Sequence, residues 1–375
     1  MTLTYQLPSS LSFDTCDAVE HEINDLLSKQ DYDAVILDAG NTKYISSAGL
    51  RVVLGIKKKI DNTSVINTST EVYDIFEMTG FTRIVNVEKA LPVISVEGCP
   101  LIGKGAHGAV YRLAPDTIVK VYYDKNVTLA DIKNERELSK KAFVLGLPTA
   151  IALQIVKAGD DYGTIFELLD AVSCSKYINE SQENTDDFIN KAVAILKHMH
   201  SVEVNDGSLP DLKQLTFGYL EKVKQFLGEE LYQRMFKLIS DIPERKTLIH
   251  GDFHLKNQLM VGNDLMLIDM DTLCVGHPVF EFAAVCNAYS EFSILDPDSV
   301  QNFLNISIEK AQYIWHEIAR RYYVDLDDKQ FERAVNTSRA IGCMRALHFY
   351  NKRHYPKATL DRCLNDLKEA LTKIA

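Results

Sequence analysis

The chain has 375 residues, 46% hydrophobic and 25% charged, enough for two or three compact cores built without disulfides or metals. A formal net charge of −11 argues against a nucleic-acid partner, because affinity for a phosphate backbone comes mainly from Lys and Arg; it mildly suits a cationic substrate. The seven cysteines (Cys16, Cys99, Cys174, Cys274, Cys286, Cys343 and Cys363) are odd in number, widely spaced and without a CxxC pair, so neither a zinc site nor a disulfide framework is indicated. The N-terminus lacks a basic segment leading into an apolar run, and no stretch approaches the roughly 18 apolar residues of a membrane span. A cytoplasmic protein with no membrane partner is expected.

In chain order, residues 1–90 alternate helix and strand. A polar helix is expected from Asp14 to Lys29, then the β-rich run Ala34-Val35-Ile36-Leu37, then Leu50 to Ile60. A third helix is predicted after the Ser69-Thr70 cap, with Val72, Ile75, Phe76 and Met78 at helical spacing and Gly80 as its stop. Residues 91–100, with Pro92, Gly98 and Pro100, read as a linker. From 101 to 170 the pattern is strand, Gly-rich turn, strands Ala109–Leu113 and Ile118–Tyr123, a helix over about Leu129–Leu145, and two more strands ending at Phe166-Glu167-Leu168-Leu169. Residues 171–375 are mostly helical, as in Ile189, Val193, Leu196 and Met199, apart from two short apolar runs at Thr247–His250 and Leu265–Ile268. The fold class is therefore α/β and multi-domain: a small α/β unit, a β-rich lobe with one helix, and a mostly α lobe.

Three clusters carry chemistry. In Gly103-Lys104-Gly105-Ala106-His107-Gly108, glycines stand where a backbone could turn tightly and approach phosphates. A strand follows the last glycine, where a dinucleotide fingerprint would start a helix; taken alone the segment could equally be a hairpin turn. Lys120 lies in the middle of the apolar strand Ile118–Tyr122, costly unless an anion partners it. Glu135 on the following helix could supply that anion and hold the ammonium toward the α- and β-phosphates of ATP, with Glu137 as its rival. The strongest signal is His250-Gly251-Asp252-Phe253-His254-Leu255-Lys256-Asn257 followed by Leu267-Ile268-Asp269-Met270-Asp271. Phosphoryl transfer to a hydroxyl needs a carboxylate near the attacking oxygen and oxygen ligands for Mg²⁺. Asp252 is assigned to the acceptor hydroxyl, Asn257 and Asp269 to magnesium, and Asp271 to a supporting position.

With those residues, the chain from about 98 to 375 resembles the protein-kinase-like phosphotransferases, and among them the aminoglycoside-phosphotransferase and choline-kinase branch, whose loop reads HGDxHxxN. His254 falls on the position that separates that branch from the HRDxKxxN loop of protein kinases. The resemblance implies a bilobal protein-kinase-like fold, ATP and Mg²⁺ as cosubstrate and cofactor, and a small-molecule hydroxyl acceptor. It implies a hinge for adenine over Phe166 to Leu169, with Phe166, Glu167 and Leu168 as its binding residues, and a structural role for His250. Gly276-His277-Pro278-Val279-Phe280-Glu281 fits the family segment after the metal-binding Asp, with Glu281 where Asp is more usual. Only a few residues separate Asp269 from it, leaving no room for a long activation loop.

Val35-Ile36-Leu37-Asp38, Tyr44-Ile45-Ser46-Ser47-Ala48-Gly49-Leu50 and Glu77-Met78-Thr79-Gly80-Phe81 resemble STAS domains, the anti-sigma-factor-antagonist fold, over about residues 1–90. The resemblance places Ser47 on the family's phosphoacceptor, although an N-cap serves as well for a Ser there, and Ser46 and Ala48 depart from the family's usual neighbours. It implies a protein partner or self-association through this domain. Two alternatives to a small-molecule kinase stand beside it: a protein serine kinase acting on a STAS-type domain, and a non-catalytic STAS/pseudokinase regulator. Glu229-Glu230, and Asp325, Asp327 and Asp328 beside Tyr322, Tyr323 and Trp315, are candidates for recruiting a cationic acceptor.

Overall fold

The computed structural model describes all residues except Ala106, 292–298 and Ala375. The chain divides into two compact units, one of Met1–Ser95 with Val156–Asp160, the other of Val96–Ile155 with Asp161–Ala375.

In the first unit four strands, Thr2–Gln6, Ala34–Asp38, Thr63–Thr68 and Asn86–Lys89, pair in that spatial order, all parallel. Parallel neighbours need crossovers, supplied by the helices Phe13–Lys29, Ser47–Lys59 and Thr70–Met78. Leu37, Val53, Val65 and Phe76 meet in the core. Ser69 caps the third helix by accepting from the Val72 N–H, and Gly80 follows its end at φ 74°. Val72 and Phe76 turn inward as their spacing predicts, but Met78 is 80% exposed: two residues beyond Phe76, it lies off the buried stripe. Within the segment read as a linker, Val93–Ile94 forms a short strand parallel to Lys157 and Ala158.

In the second unit Asp161–Glu167, Thr117–Tyr122, Gly108–Ala114 and Leu101–Lys104 lie side by side in that order. Lys120 is held in the ladder between Thr164 and Val110. The helix Leu129–Val144, started by a capping box between Thr128 and Asp131, carries Glu135 on its buried side. Beyond it the unit is helical, with Gln182–Met199, Leu212–Asp241 (broken at Gly228, φ 68°), Pro278–Tyr289, Ile308–Tyr322, Asp328–Lys352 and Lys357–Ile374. One apolar cluster gathers Ile189, Leu196, Met199 and Phe282; a second gathers Leu220, Met235, Ile341 and Leu367. The two expected short strands are present as Thr247–Ile249 and Asp264–Leu267. Three more, Ala171–Ser173, Gln258–Val261 and Cys274–Gly276, were not foreseen, because three or four residues carry too little alternation to signal a strand. They matter: Thr247–Ile249 pairs with Cys274–Gly276 and Gln258–Val261 with Asp264–Leu267, so both ends of the 250–257 loop are anchored.

Candidate active site

The loop begins at His250, completely buried. Its Nδ1 accepts from the Asp252 N–H (3.3 Å), which leaves Nε2 protonated to donate to the Ile268 carbonyl (3.2 Å). Burial holds its pKa below the ordinary value, so it is a neutral strut, the structural role expected of it. Gly251 adopts φ 83°, and a Cβ there would stand 2.8 Å from the Thr272 carbonyl oxygen. Only glycine fits that turn. The Thr272 hydroxyl donates to the His250 carbonyl (2.7 Å), and the Ile268 N–H to the Asn257 carbonyl (2.9 Å), so the 250–257 and 268–272 segments are tied at both ends.

Asp252 is about half exposed. Its Oδ2 accepts from Asn257 Nδ2 (3.0 Å) and from His254 Nε2 (3.2 Å). His254 Nδ1 in turn accepts from the Lys256 N–H (3.2 Å), which fixes the tautomer that donates to Asp252. Desolvation works to raise the Asp252 carboxyl. The His254 hydrogen bond, the two histidines and the nearby Arg345 outweigh it and hold the pKa below the usual carboxylate range. The group is an anion with Oδ1 free of any such restraint. Asn257 Nδ2 also donates to the Asp252 carbonyl (3.0 Å), so its amide nitrogen is fully engaged and its Oδ1 is the atom left for a ligand.

Lys120 Nζ lies 2.8 Å from Glu135 Oε1 and 2.7 Å from Asp269 Oδ1. Burial would lower its pKa, but the Asp269 and Glu135 charges raise it well above normal. Glu137 instead pairs with Arg136 at the surface. The Asp269 contact was not anticipated, for the two residues are 149 apart in sequence. Asp269 sits at φ 64°, a strained conformation for a residue with a side chain and one that Asp tolerates better than most. Asp271 follows on the Met270–Thr272 turn. Asn257 and Asp269 offer hard oxygen donors of the kind Mg²⁺ takes. Among the described residues no cluster of three or more His, Cys, Asp or Glu could hold a metal by itself.

The Gly-rich segment is a hairpin between Leu101–Lys104 and Gly108–Ala114, closed by the Gly105 N–H on the Gly108 carbonyl (2.9 Å); Ala106 lies outside the described residues. A Cβ on Gly103 would face open space and one on Gly105 would make an ordinary 3.9 Å contact with the Gly108 carbonyl oxygen, whereas a Cβ on Gly108 would meet the Val121 carbonyl oxygen at 2.6 Å. Gly108 is thus required by strand packing. At Phe166-Glu167-Leu168 two backbone donors are already engaged, Glu167 N–H on Ile151 O (3.2 Å) and Leu168 N–H on Asp116 O (2.8 Å).

Sequence reasoning singled out Glu281 as a structural position but not the loop that it supports. Glu281, fully buried, accepts from the His250 N–H (2.6 Å) and the Gly251 N–H (3.0 Å); burial carries its carboxyl up to about 7 against the pull of those donors. Nor did it identify Arg345, whose Nη2 donates to the Gly251 carbonyl (3.4 Å). None of the acidic candidates for a cationic acceptor is among the described residues lining the cavity at Asp252. Asp327 caps the Asp328–Lys352 helix, Asp328 pairs with Arg320, Glu229 accepts from Gln233, and Tyr322, Tyr323 and Trp315 pack against Phe282. In the first unit Ser46, not Ser47, is the N-cap, its Oγ accepting from the Gly49 N–H (3.3 Å); Ser47 is the exposed first residue of the helix.

These elements make up a kinase-like phosphotransferase fold preceded by a STAS domain. Residues 98–305, more than half of the chain, match the phosphotransferase enzyme family (APH), and the chain belongs to that family. Residues 1–92 match the STAS domain. No curated protein matches the chain. Similar solved structures include the ADP-bound aminoglycoside phosphotransferase APH(2'')-Ib, 17% identical over 80% of this chain and 97% of that one, with a TM-score of 0.45. The GDP complex of wild-type aminoglycoside 2'-phosphotransferase-IIIa is 13% identical over 80% and 97%, with a TM-score of 0.49. A choline/ethanolamine kinase family protein from Mesorhizobium loti is 12% identical over 74% and 92%, also at 0.49. No helix among the described residues is long and apolar enough to cross a membrane.

Proposed function

We propose that the chain is an ATP- and Mg²⁺-dependent phosphotransferase acting on a hydroxyl group of a small molecule. The observation that carries this is Asp252: an ionised carboxylate with one oxygen fixed by Asn257 and His254 and the other free, at the edge of a cavity of about 180 Å³. The acceptor hydroxyl donates its proton to Asp252 Oδ1 as its oxygen bonds to the γ-phosphorus. The bond from that phosphorus to the β,γ-bridging oxygen breaks, and ADP leaves.

Lys120, kept cationic by Glu135, meets the α- and β-phosphates, and Gly103 and Gly105 let the hairpin backbone close over them. Asn257 Oδ1 and Asp269 hold the metal, which neutralises phosphate charge when bound. Phe166, Glu167 and Leu168 line the adenine side. Because the Glu167 and Leu168 N–H groups are engaged within the chain, the donor to adenine is the next one, that of Leu169. The strand Cys274–Gly276 and the helix Pro278–Tyr289 follow Asp269 at once, so no long activation loop stands between them, which favours a small-molecule acceptor.

The test is transfer of label from γ-labelled ATP to a pooled set of hydroxyl compounds with Mg²⁺, beside an Asp252→Asn control. A labelled small molecule in the wild type, reduced about 10²- to 10⁴-fold in the control, is the expected result. Nucleotide binding with label appearing only on Ser47, or on no acceptor at all, would replace it with one of the two alternatives above.

A further inference from the structure

The cavity beside Asp252 is lined also by Ala284, Asn287, Ala288, Arg345 and Phe349. It adjoins a second, of about 230 Å³, lined by Tyr219, Arg345, His348, Phe349 and Lys352. Arg345 and Phe349 line both, so the two neighbouring cavities together form the groove beside Asp252. Among its described lining residues Asp252 is the one carboxylate, while Arg345 and Lys352 are cations. Arg345 makes no ion pair with any described residue: Nη2 reaches only the Gly251 carbonyl, and Nη1 is buried without a partner. A buried guanidinium N–H without an acceptor is costly, and the guanidinium fork matches carboxylate and phosphate oxygens. The group is also held in place. The Tyr219 ring lies 5.9 Å from the Arg345 guanidinium carbon and stacks on His348 at 5.3 Å and 24°. Lys222 stands 6.0 Å above the same ring. Desolvation first, then the charges of Lys222 and Lys352, depress the His348 pKa.

We propose that the acceptor is a small hydroxyl compound carrying an anionic oxyacid group, a carboxylate or a phosphate, and that Arg345 binds that group with Lys352 at the mouth of the groove. This rests on the phosphotransferase assignment above and narrows its substrate class. A polycationic or quaternary-ammonium acceptor would meet the like charges of Arg345 and Lys352, with Asp252, which faces the acceptor hydroxyl, the one carboxylate among the described lining residues to offset them.

The experiment saturates the full chain with Mg²⁺ and a non-hydrolysable ATP analogue, then titrates it with glycerate, glycerol 3-phosphate, glycerol and choline. Wild type, Arg345→Gln and Lys352→Gln are compared, after thermal melts confirm that each is folded. At least one anionic probe is expected to bind tenfold or more tightly than glycerol, with choline weakest; carboxylate or phosphate preference names the group. That advantage should vanish in Arg345→Gln and shrink several-fold in Lys352→Gln, an exposed position, with affinity for the nucleotide analogue unchanged. The proposal is overturned if choline or glycerol binds best, if neither anion binds the wild type, or if the anion preference survives Arg345→Gln. It is overturned also if that change weakens the nucleotide analogue instead, which would put Arg345 on the transferred phosphoryl group. Failure of the analogue itself to bind would count against the phosphotransferase assignment alone, since anion binding is read in a parallel titration without it.

Discussion

Glu281 shows how one side chain can govern a catalytic loop without touching a substrate. Both of its oxygens accept backbone N–H groups at the root of the loop, yet burial lifts its carboxyl to about 7, against about 4.3 in an unfolded chain. A carboxyl whose pKa is raised by folding stabilises the fold fully below the unfolded value. That contribution is lost as pH rises through the folded one. The shift corresponds to about 3 kcal/mol between pH 4.5 and 7.5. Around Glu281 the His200 pKa is lowered to about 3, those of His250 and Asp252 are lowered, and the Cys274 thiol is pushed up; all of these groups are retained in Glu281→Gln, so the difference between the two proteins isolates the Glu281 carboxyl. Urea midpoints measured across pH 5–7.5 should therefore fall more steeply with pH in wild type than in Glu281→Gln. The variant should start lower, because its amide NH₂ faces an N–H donor. Equal slopes in the two proteins would show that Glu281 is not the titrating group.

The elements around the site differ in how far the sequence disclosed them. HGDFHLKN announces its chemistry because Asp, His and Asn stand together in one short loop, and Lys120 because a cation inside an apolar strand demands an anion. Glu135 was separable from Glu137 only in three dimensions, since both fall on one helix and burial decides between them. The basic groove was not legible at all. Arg345, His348 and Lys352 follow one another at helical spacing on Asp328–Lys352, a pattern that any solvated helix face would show; only the groove beside Asp252 distinguishes it. Gly251 was read as part of a motif, but its necessity comes from the distant Thr272 carbonyl. Gly251→Ala should combine a disfavoured φ with that clash and destabilise the second unit by about 1–3 kcal/mol. Phosphotransfer should fall at least tenfold in the same variant. Full activity in a Gly251→Ala enzyme would mean that the loop relaxes without moving Asp252.

At the scale of the whole molecule, the division into two units was visible in the sequence as a change of pattern, from regular alternation of helix and strand to a β-rich stretch followed by helices. What it could not show is that residues 156–160, deep in the second stretch, group with the first unit, because pairing between Val93–Ile94 and Lys157–Ala158 leaves no periodic trace in so short a strand. Each unit nonetheless has apolar clusters made from its own residues, and a domain with its own core can unfold as its own cooperative step. Gly49 gives a way to address the first unit alone. A Cβ there would lie 2.5 Å from the Leu11 carbonyl oxygen, a backbone contact that a rotamer change cannot relieve. Calorimetry of the full chain should resolve two transitions. Gly49→Ala should lower one of them by an amount equivalent to about 1–3 kcal/mol and leave in place the one that responds to the ATP analogue. Should a single transition move as a whole in Gly49→Ala, the STAS domain and the phosphotransferase unit would be one cooperative body, and any ligand of the first would act on the stability of the second.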